Sequence, residues 1–229
     1  MPVDTIEKTF QKTTQFYCRP VSTLLKKTFK LPYPACNVHC RQEPIATDTV
    51  FSDTPAIDCG HKVAQIYVGT ESMVADVFGM QTSKQFINTF QEIIRIRGAP
   101  TKLISDCAKV EISEKVKDVL CYLFIQDWQS EPYYQHQNPA EQRYQDLKRM
   151  ANRIMDRTGC PPELWLLALK YVAFVLNHTA CSAINDNVPL TYLTGVTQDI
   201  SMLLRFHWYE KVYFLEEETS FPSESRESV

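Results

Sequence analysis

Five short β-branched or aromatic runs, interleaved with amphipathic stretches of helical period, predict an α/β domain. Two features of order carry that expectation. The first three runs follow one another on links too short for a helix, and each later run is preceded by a helical stretch. A third feature is the long amphipathic segment Pro139–Thr158. At 229 residues and 44% hydrophobic content, the chain suits one domain of ample core plus appendages.

Residues 1–48 read as an N-terminal arm and linker. Ile6–Tyr17 suits a short helix, and Phe29-Lys-Leu-Pro-Tyr-Pro-Ala35 an extended link, because each proline biases its predecessor away from helix. Thr49–Thr54, Lys62–Val68 and Met73–Phe78 are the first three predicted strands, with turns at Cys59-Gly-His61 and Gly69-Thr-Glu-Ser72. Short links make them an antiparallel meander. A helix follows, with Phe86, Phe90, Ile93, Ile94 and Arg97 at helical spacing and Gly98 as its stop. Pro100 forces an exit and Lys102–Ser105 is the fourth strand. Helix Val110–Leu123 leads to a fifth strand around Phe124–Trp128. In Pro139–Thr158, Tyr144, Leu147, Ala151 and Ile154 recur at i, i+3, i+7 and i+10 and define a buried stripe.

Composition removes several classes. No run approaches the roughly 18 apolar residues of a membrane span; the longest candidate, Leu164–Leu176, is interrupted by Lys170. The N-terminus lacks a basic segment followed by an apolar one, so no secretory signal is expected. Eight scattered cysteines suggest reduced thiols in an intracellular protein. Asn177-His-Thr179 fits a glycosylation sequon, but it ends an apolar helix in a chain without a signal. Cys36, His39 and Cys40 lack a second spaced ligand pair; the nearest further candidate is Cys18, so no zinc site is expected. The net charge of −3 is unevenly placed. Lys8 to Lys30 make the arm basic, and Arg143, Lys148, Arg149, Arg153 and Arg157 decorate one helix. Glu216 to Glu227 make the tail acidic. Strong nucleic-acid affinity is therefore not expected of this chain alone, and the helix charges read equally well as a solvated face.

Three acids organise the sequence: Asp53 at a strand end, Asp106 directly after Leu103-Ile-Ser105, and Glu141 in the first turn of the long helix. Carboxylates so placed can converge into a hard-oxygen site for Mg²⁺ or Mn²⁺, the kind that clamps both oxygens of an in-line phosphoryl transfer. Taken singly, each could be an ordinary surface acid, one of 27. Asp48 and Asp58 fit the first position less well, since Asp48 precedes the predicted strand and Asp58 follows a proline-containing turn.

The local contexts resemble the catalytic core of retroviral and retrotransposon integrases, the Asp-Asp-Glu polynucleotidyl transferases. Asp53-Thr54 matches the family's first acid on a strand, and Ser105-Asp106-Cys107-Ala108 its Ser-Asp-Asn-Gly-like turn. Pro132-Tyr-Tyr-Gln-His-Gln-Asn-Pro-Ala-Glu141 matches the stretch before its Glu. The interval from Asp106 to Glu141 is one residue shorter than the family's usual spacing. The resemblance implies an RNase H-like mixed five-stranded sheet over residues 49–159. It also implies a helical extension of copia-type flavour over 160–205, followed by the start of a truncated β element with an acidic tail over 206–229. It implies Asp53, Asp106 and Glu141 as both catalytic residues and ligands of two Mg²⁺ or Mn²⁺ ions, serving 3′-end processing and DNA strand transfer. DNA and a second copy of the chain are the implied partners, without a membrane, and the nucleus the implied place of action. Glu141, Gln145 and Lys148 share one helix face at i, i+4 and i+7. Lys148 stands where the family contacts the DNA end; Gln145 fills a slot where some members have another Lys.

Two departures matter. Cys107-Ala108 replaces Asn-Gly, and Ala adopts positive φ only at a cost. The usual His-His-Cys-Cys zinc domain has no counterpart ahead of the core. The same fold could therefore persist as a catalytically inactive nucleic-acid or protein-binding module of a decayed element. It could also serve an RNase H-like nuclease, which the context before Glu141 disfavours. A Cys107–His136 thiol pair lacks an oxyanion-hole motif, and no glycine-rich phosphate loop is present.

Overall fold

The computed structural model describes residues 1–15, 38–105, 113–129 and 139–212, the side chains of Pro139 and Glu141 excepted. The elements are α1 (Val3–Lys12), β1 (Ile45–Phe51), β2 (Val63–Gly69), β3 (Ala75–Met80), α2 (Phe86–Arg97), β4 (Lys102–Ser105), α3 (Glu114–Tyr122), β5 (Gln126–Gln129), α4 (Pro139–Thr158), α5 (Trp165–Asn177) and α6 (Pro189–Thr194). The strands form one sheet in the order β3-β2-β1-β4-β5. β1, β2 and β3 are an antiparallel meander, whereas β4 runs parallel to both β1 and β5. This is the mixed RNase H-like sheet with helices on both faces.

Alternation along the strands divides the core in two. Ala46, Val50, Ala64 and Ile66 pack under α4 and α5 with Leu147, Ala151, Leu166 and Val172. Ile45, Tyr67 and Leu103 pack under α2 and α3 with Phe86, Phe90, Ile93 and Val116. β2, covered on both faces, is buried along its whole length.

Several expected boundaries move, each for a physical reason. β1 begins and ends earlier than the expected Thr49–Thr54. Its last outgoing ladder bond is Ser52 N–H to the Lys62 carbonyl at 2.9 Å. The Ser52 hydroxyl then accepts from Thr54 N–H (3.3 Å) and donates to the Thr54 carbonyl (3.0 Å), curling the chain out of the sheet before Pro55. α1 lies earlier than the expected Ile6–Tyr17, and α3 starts at Glu114; residues 16, 17 and 110–112 of those expectations are outside the described residues. α2 ends as expected at Gly98, whose φ of 93° and close approach to the His39 carbonyl (2.7 Å from an added Cβ) exclude a side chain.

The end of the arm is part of the core. Arg41 N–H donates to the Ala99 carbonyl at 2.7 Å, and the Arg41 and Glu43 side chains form a buried ion pair. The Glu43 carboxylate also accepts from the Glu71 and Ser72 amides (3.1 and 2.8 Å) and the Ser72 hydroxyl (2.7 Å). This pair fills the space beside Gly69, where a Cβ would collide with Arg41 and with Glu43. α1 docks on the C-terminal part of the chain: Ala180 N–H donates to the Thr9 hydroxyl at 2.9 Å, and Lys8 pairs with Asp186 at 2.8 Å. On the meander's outer edge, the buried Asn177 amide accepts from Ala75 N–H and donates to the Ala75 carbonyl, both at 2.8 Å.

Candidate functional site

The three expected acids fall differently with respect to the fold. Asp53 is exposed in the bend two residues beyond β1, not within a strand. Asp106 directly follows β4 in sequence and lies outside the described residues, as do Cys107 and His136. Glu141 sits in the first turn of α4, and its side chain is not described. The residue that the fold brings under α4 is Asp48. It is half-buried near the middle of β1, opposite Ile66 of β2. Because Ala46 and Val50 belong to the α4–α5 cluster, strand alternation turns Asp48 to the same side. Sequence reasoning set Asp48 aside by starting the strand too late. The available signal was the alternation Ala46, Asp48, Val50 within Ile45–Phe51. Asp58, the other alternative, is exposed near Lys170 (3.9 Å).

The electrostatics agree with that placement. Tyr144, one turn beyond Glu141, packs against the same cluster; burial pushes its phenol above the usual range, and the negative charge of Asp48 adds to the shift. Lys148 is exposed, with its ammonium 6.0 Å from the centre of the Tyr144 ring, and Gln145 is exposed beside it. Of the expected polar face of α4, Gln145 and Lys148 are therefore solvent-exposed. Arg143 departs from the expectation of a surface charge. It is only 7% exposed, and burial pushes its guanidinium pKa down. It continues the inward stripe Ala140-Arg143-Leu147 at i, i+3 and i+7.

Among the described residues, no three His, Cys, Asp or Glu side chains gather into a metal-binding group. His39 and Cys40 are both exposed, and Cys18 and Cys36 lie outside the described residues. No described helix is long and apolar enough to cross a membrane.

Comparison with protein-family models gives no match, and comparison with curated proteins gives none. Solved structures do match. The catalytic core domain of BIV integrase superposes with a TM-score of 0.51 at 17% identity, covering 67% of this chain and 95% of that domain. The HTLV-2 integrase catalytic core domain, in complex with magnesium and in dimeric form, gives 0.52 at 15% identity, covering 69% and 98%. At such identities the likeness shows the fold, which is that of integrase catalytic cores.

Proposed function

We propose that this chain is the catalytic core of a DNA polynucleotidyl transferase that trims and joins the 3′ ends of a retroelement, copia-type in flavour. The observation that carries the proposal is the position of Asp48. Ala46 stands beside Ile104 in the parallel β1–β4 pairing, and Asp48 follows two residues further along β1, the strand next to β4 in the sheet. Asp48 also faces α4, the helix that bears Glu141. We therefore take Asp48, in preference to Asp53, as the first acid beside Asp106 and Glu141.

Three carboxylates are the donor set that Mg²⁺ or Mn²⁺ prefers, and these residues would hold the ions. When bound, the cations supply Lewis-acid stabilisation of charge at the reacting phosphate and activate the attacking water or 3′-hydroxyl. The chain's own residues do the rest. Tyr144, packed on the apolar cluster within electrostatic reach of Asp48, lines the side of the site under α4. Lys148 holds a phosphate next to the reacting bond, and Gln145, one turn nearer Glu141, reaches a base edge. The proposal extends to a homo-oligomer acting on nuclear DNA, a reading in keeping with the dimeric form of the HTLV-2 integrase core.

The test is 3′-end processing and strand transfer with Mg²⁺ or Mn²⁺. Asp48→Asn and Glu141→Gln are expected to abolish both reactions, and Asp53→Asn to retain them. Loss in Asp53→Asn with retention in Asp48→Asn would return the first acid to Asp53. A wild-type chain inactive on every DNA end would favour the repurposed binding module, which the Cys107-Ala108 departure already suggests.

A further inference from the structure

The far half of α4 carries a second feature. Arg149, Arg153 and Arg157 recur at i, i+4 and i+8 and form one stripe. Arg149 is held by Asp146 at 2.8 Å, whereas Arg153 and Arg157 stand exposed on the rim of a groove. The groove lies between α4, α5 and residues 203–208 and encloses about 740 Å³, within the range of about 300–1,000 Å³ typical of ligand sites. Its lining includes the apolar Ile154, Val172 and Val175, an aromatic wall, and, between the two arginines in sequence, the exposed carboxylate of Asp156, which leaves the arginines with one positive charge in excess. Trp208 lies against Tyr171 with ring centres 5.1 Å apart and packs on the core beneath α4 and α5. Phe206, on the same wall, is 50% exposed, and neighbouring Tyr209 is 53% exposed.

This wall is a built turn. Tyr209 has φ of +61°, a left-handed conformation that is an outlier for a bulky side chain. Two hydrogen bonds hold the turn: His207 N–H donates to the Glu210 carboxylate at 2.8 Å, and Glu210 N–H to the His207 carbonyl at 3.2 Å. Backbone strain of about 1–3 kcal/mol persists where surrounding structure over-determines it, often at binding sites. Here the strained turn sends Trp208 inward and leaves Phe206 exposed on the groove wall, with Tyr209 exposed just beyond it in sequence.

An acidic peptide would satisfy the arginines and leave both exposed rings in water. A nucleotide strand satisfies both, with phosphates on the guanidinium groups and bases on the rings. We propose that this groove is a second nucleic-acid site. It binds a single-stranded stretch of DNA through phosphate contacts to Arg153 and Arg157 and through stacking on Phe206 and Tyr209. Arg153 stands roughly three turns beyond Glu141, about 18 Å along the helix axis. Twelve residues also turn the helix by about 120°, so a strand whose end lies at Glu141 would pass around α4 to reach the groove. The direction of approach rests on the DNA-transfer reading; the chemistry of the groove does not.

The experiment is fluorescence anisotropy of a labelled oligo-dT with the full chain in EDTA, across a salt series. Wild-type protein is expected to bind with a negative salt slope. The double variant Arg153→Gln/Arg157→Gln should lower that slope by about 1.4, at roughly 0.7 per lost contact with a single strand. Phe206→Ala and Tyr209→Asn, the latter chosen because Asn accepts a left-handed turn, should each weaken binding about tenfold with the slope unchanged. Circular dichroism confirms that each variant folds. Affinity and slope unchanged in the arginine double variant would overturn the proposal. So would binding of an oligo-glutamate peptide, with the same variant dependence, in place of oligo-dT. Glu141→Gln should keep oligo-dT binding while losing strand transfer, so the two readings fail separately.

Discussion

Asn177→Ala offers a direct energetic test of the fold. β3 is an edge strand, and its Ala75 N–H and C=O point away from β2 into a region that is 1% exposed at Ala75 and 3% at Asn177. The Asn177 amide satisfies both at 2.8 Å, in effect standing in for a sixth strand at that one position. Removing it leaves a buried donor and a buried acceptor unmet, at about 1–3 kcal/mol each. The expected loss is therefore about 2–6 kcal/mol. With an m-value near the upper end of the usual range, about 3 kcal/mol per molar urea, the midpoint should fall by roughly 1–2 M. Urea unfolding followed by circular dichroism measures it. A midpoint within about 0.2 M of wild type, with m unchanged, would mean that water replaces the amide at no cost and that the edge is not sealed by Asn177. In the folded chain the amide of the Asn177 sequon is thus buried and engaged at both its atoms.

Glu43→Gln should cost about 3–5 kcal/mol in the same unfolding assay, because it leaves the buried Arg41 without its counter-charge; a loss below about 1 kcal/mol would mean the pair behaves as a surface contact. Lys148→Ala should fold normally and lower the salt slope for duplex DNA by about 0.9, one phosphate contact, whereas Gln145→Ala leaves the slope alone and relaxes end preference. An unchanged slope in Lys148→Ala would show that face of α4 to be merely solvated. Mg²⁺ or Mn²⁺ at a hundred times its dissociation constant should stabilise the folded chain by about 2.7 kcal/mol, a rise in Tm of roughly 5–10 °C. Asp106→Asn should stabilise the metal-free form and blunt that rise; an identical rise in the variant would place the metal elsewhere. Burial pushes the His178 imidazole below its ordinary 6.5, against the raising effect of its hydrogen bond to the Phe174 carbonyl and with a smaller lowering by Arg97. The unfolded chain then binds the proton first, so this contribution is complete above about pH 6.5 and is lost as pH falls below it. Comparing Tm against pH for wild type and His178→Gln checks the sign: the two curves should run parallel above that pH and converge below it.

Periodicity made much of this fold legible. α4 has the expected bounds, the Phe86–Arg97 helix stops at the expected glycine, and Lys102–Ser105 is the expected strand. In each case the signal is local, either a stripe at period 3.6 or a proline or glycine as punctuation. β1 was harder because its limits are set by partners. Asp is disfavoured in strands by propensity, and pairing with Ile66 of β2 holds Asp48 in one. Arg143 was expected among the charges on the surface of α4; it sits one turn before Leu147 of the buried stripe, and packing overrode its charge. The Arg41–Glu43 pair had no local signal, since its reason is a gap opposite Gly69, distant in sequence.

The welded turn between β2 and β3 has a practical consequence for anyone re-engineering the chain. Because the Glu43 carboxylate grips the amides of Glu71 and Ser72, adding or removing even one residue between Gly69 and Val74 would pull the arm out of the core. The turn between β1 and β2 imposes no such constraint. Residues 57–60 are exposed, and a side chain added at Gly60 would meet nothing within 4 Å, although its φ of +66° disfavours one. A reporter domain or an affinity tag spliced between Cys59 and Gly60 should therefore be carried without loss of folding. The same insert at Glu71 should yield insoluble protein.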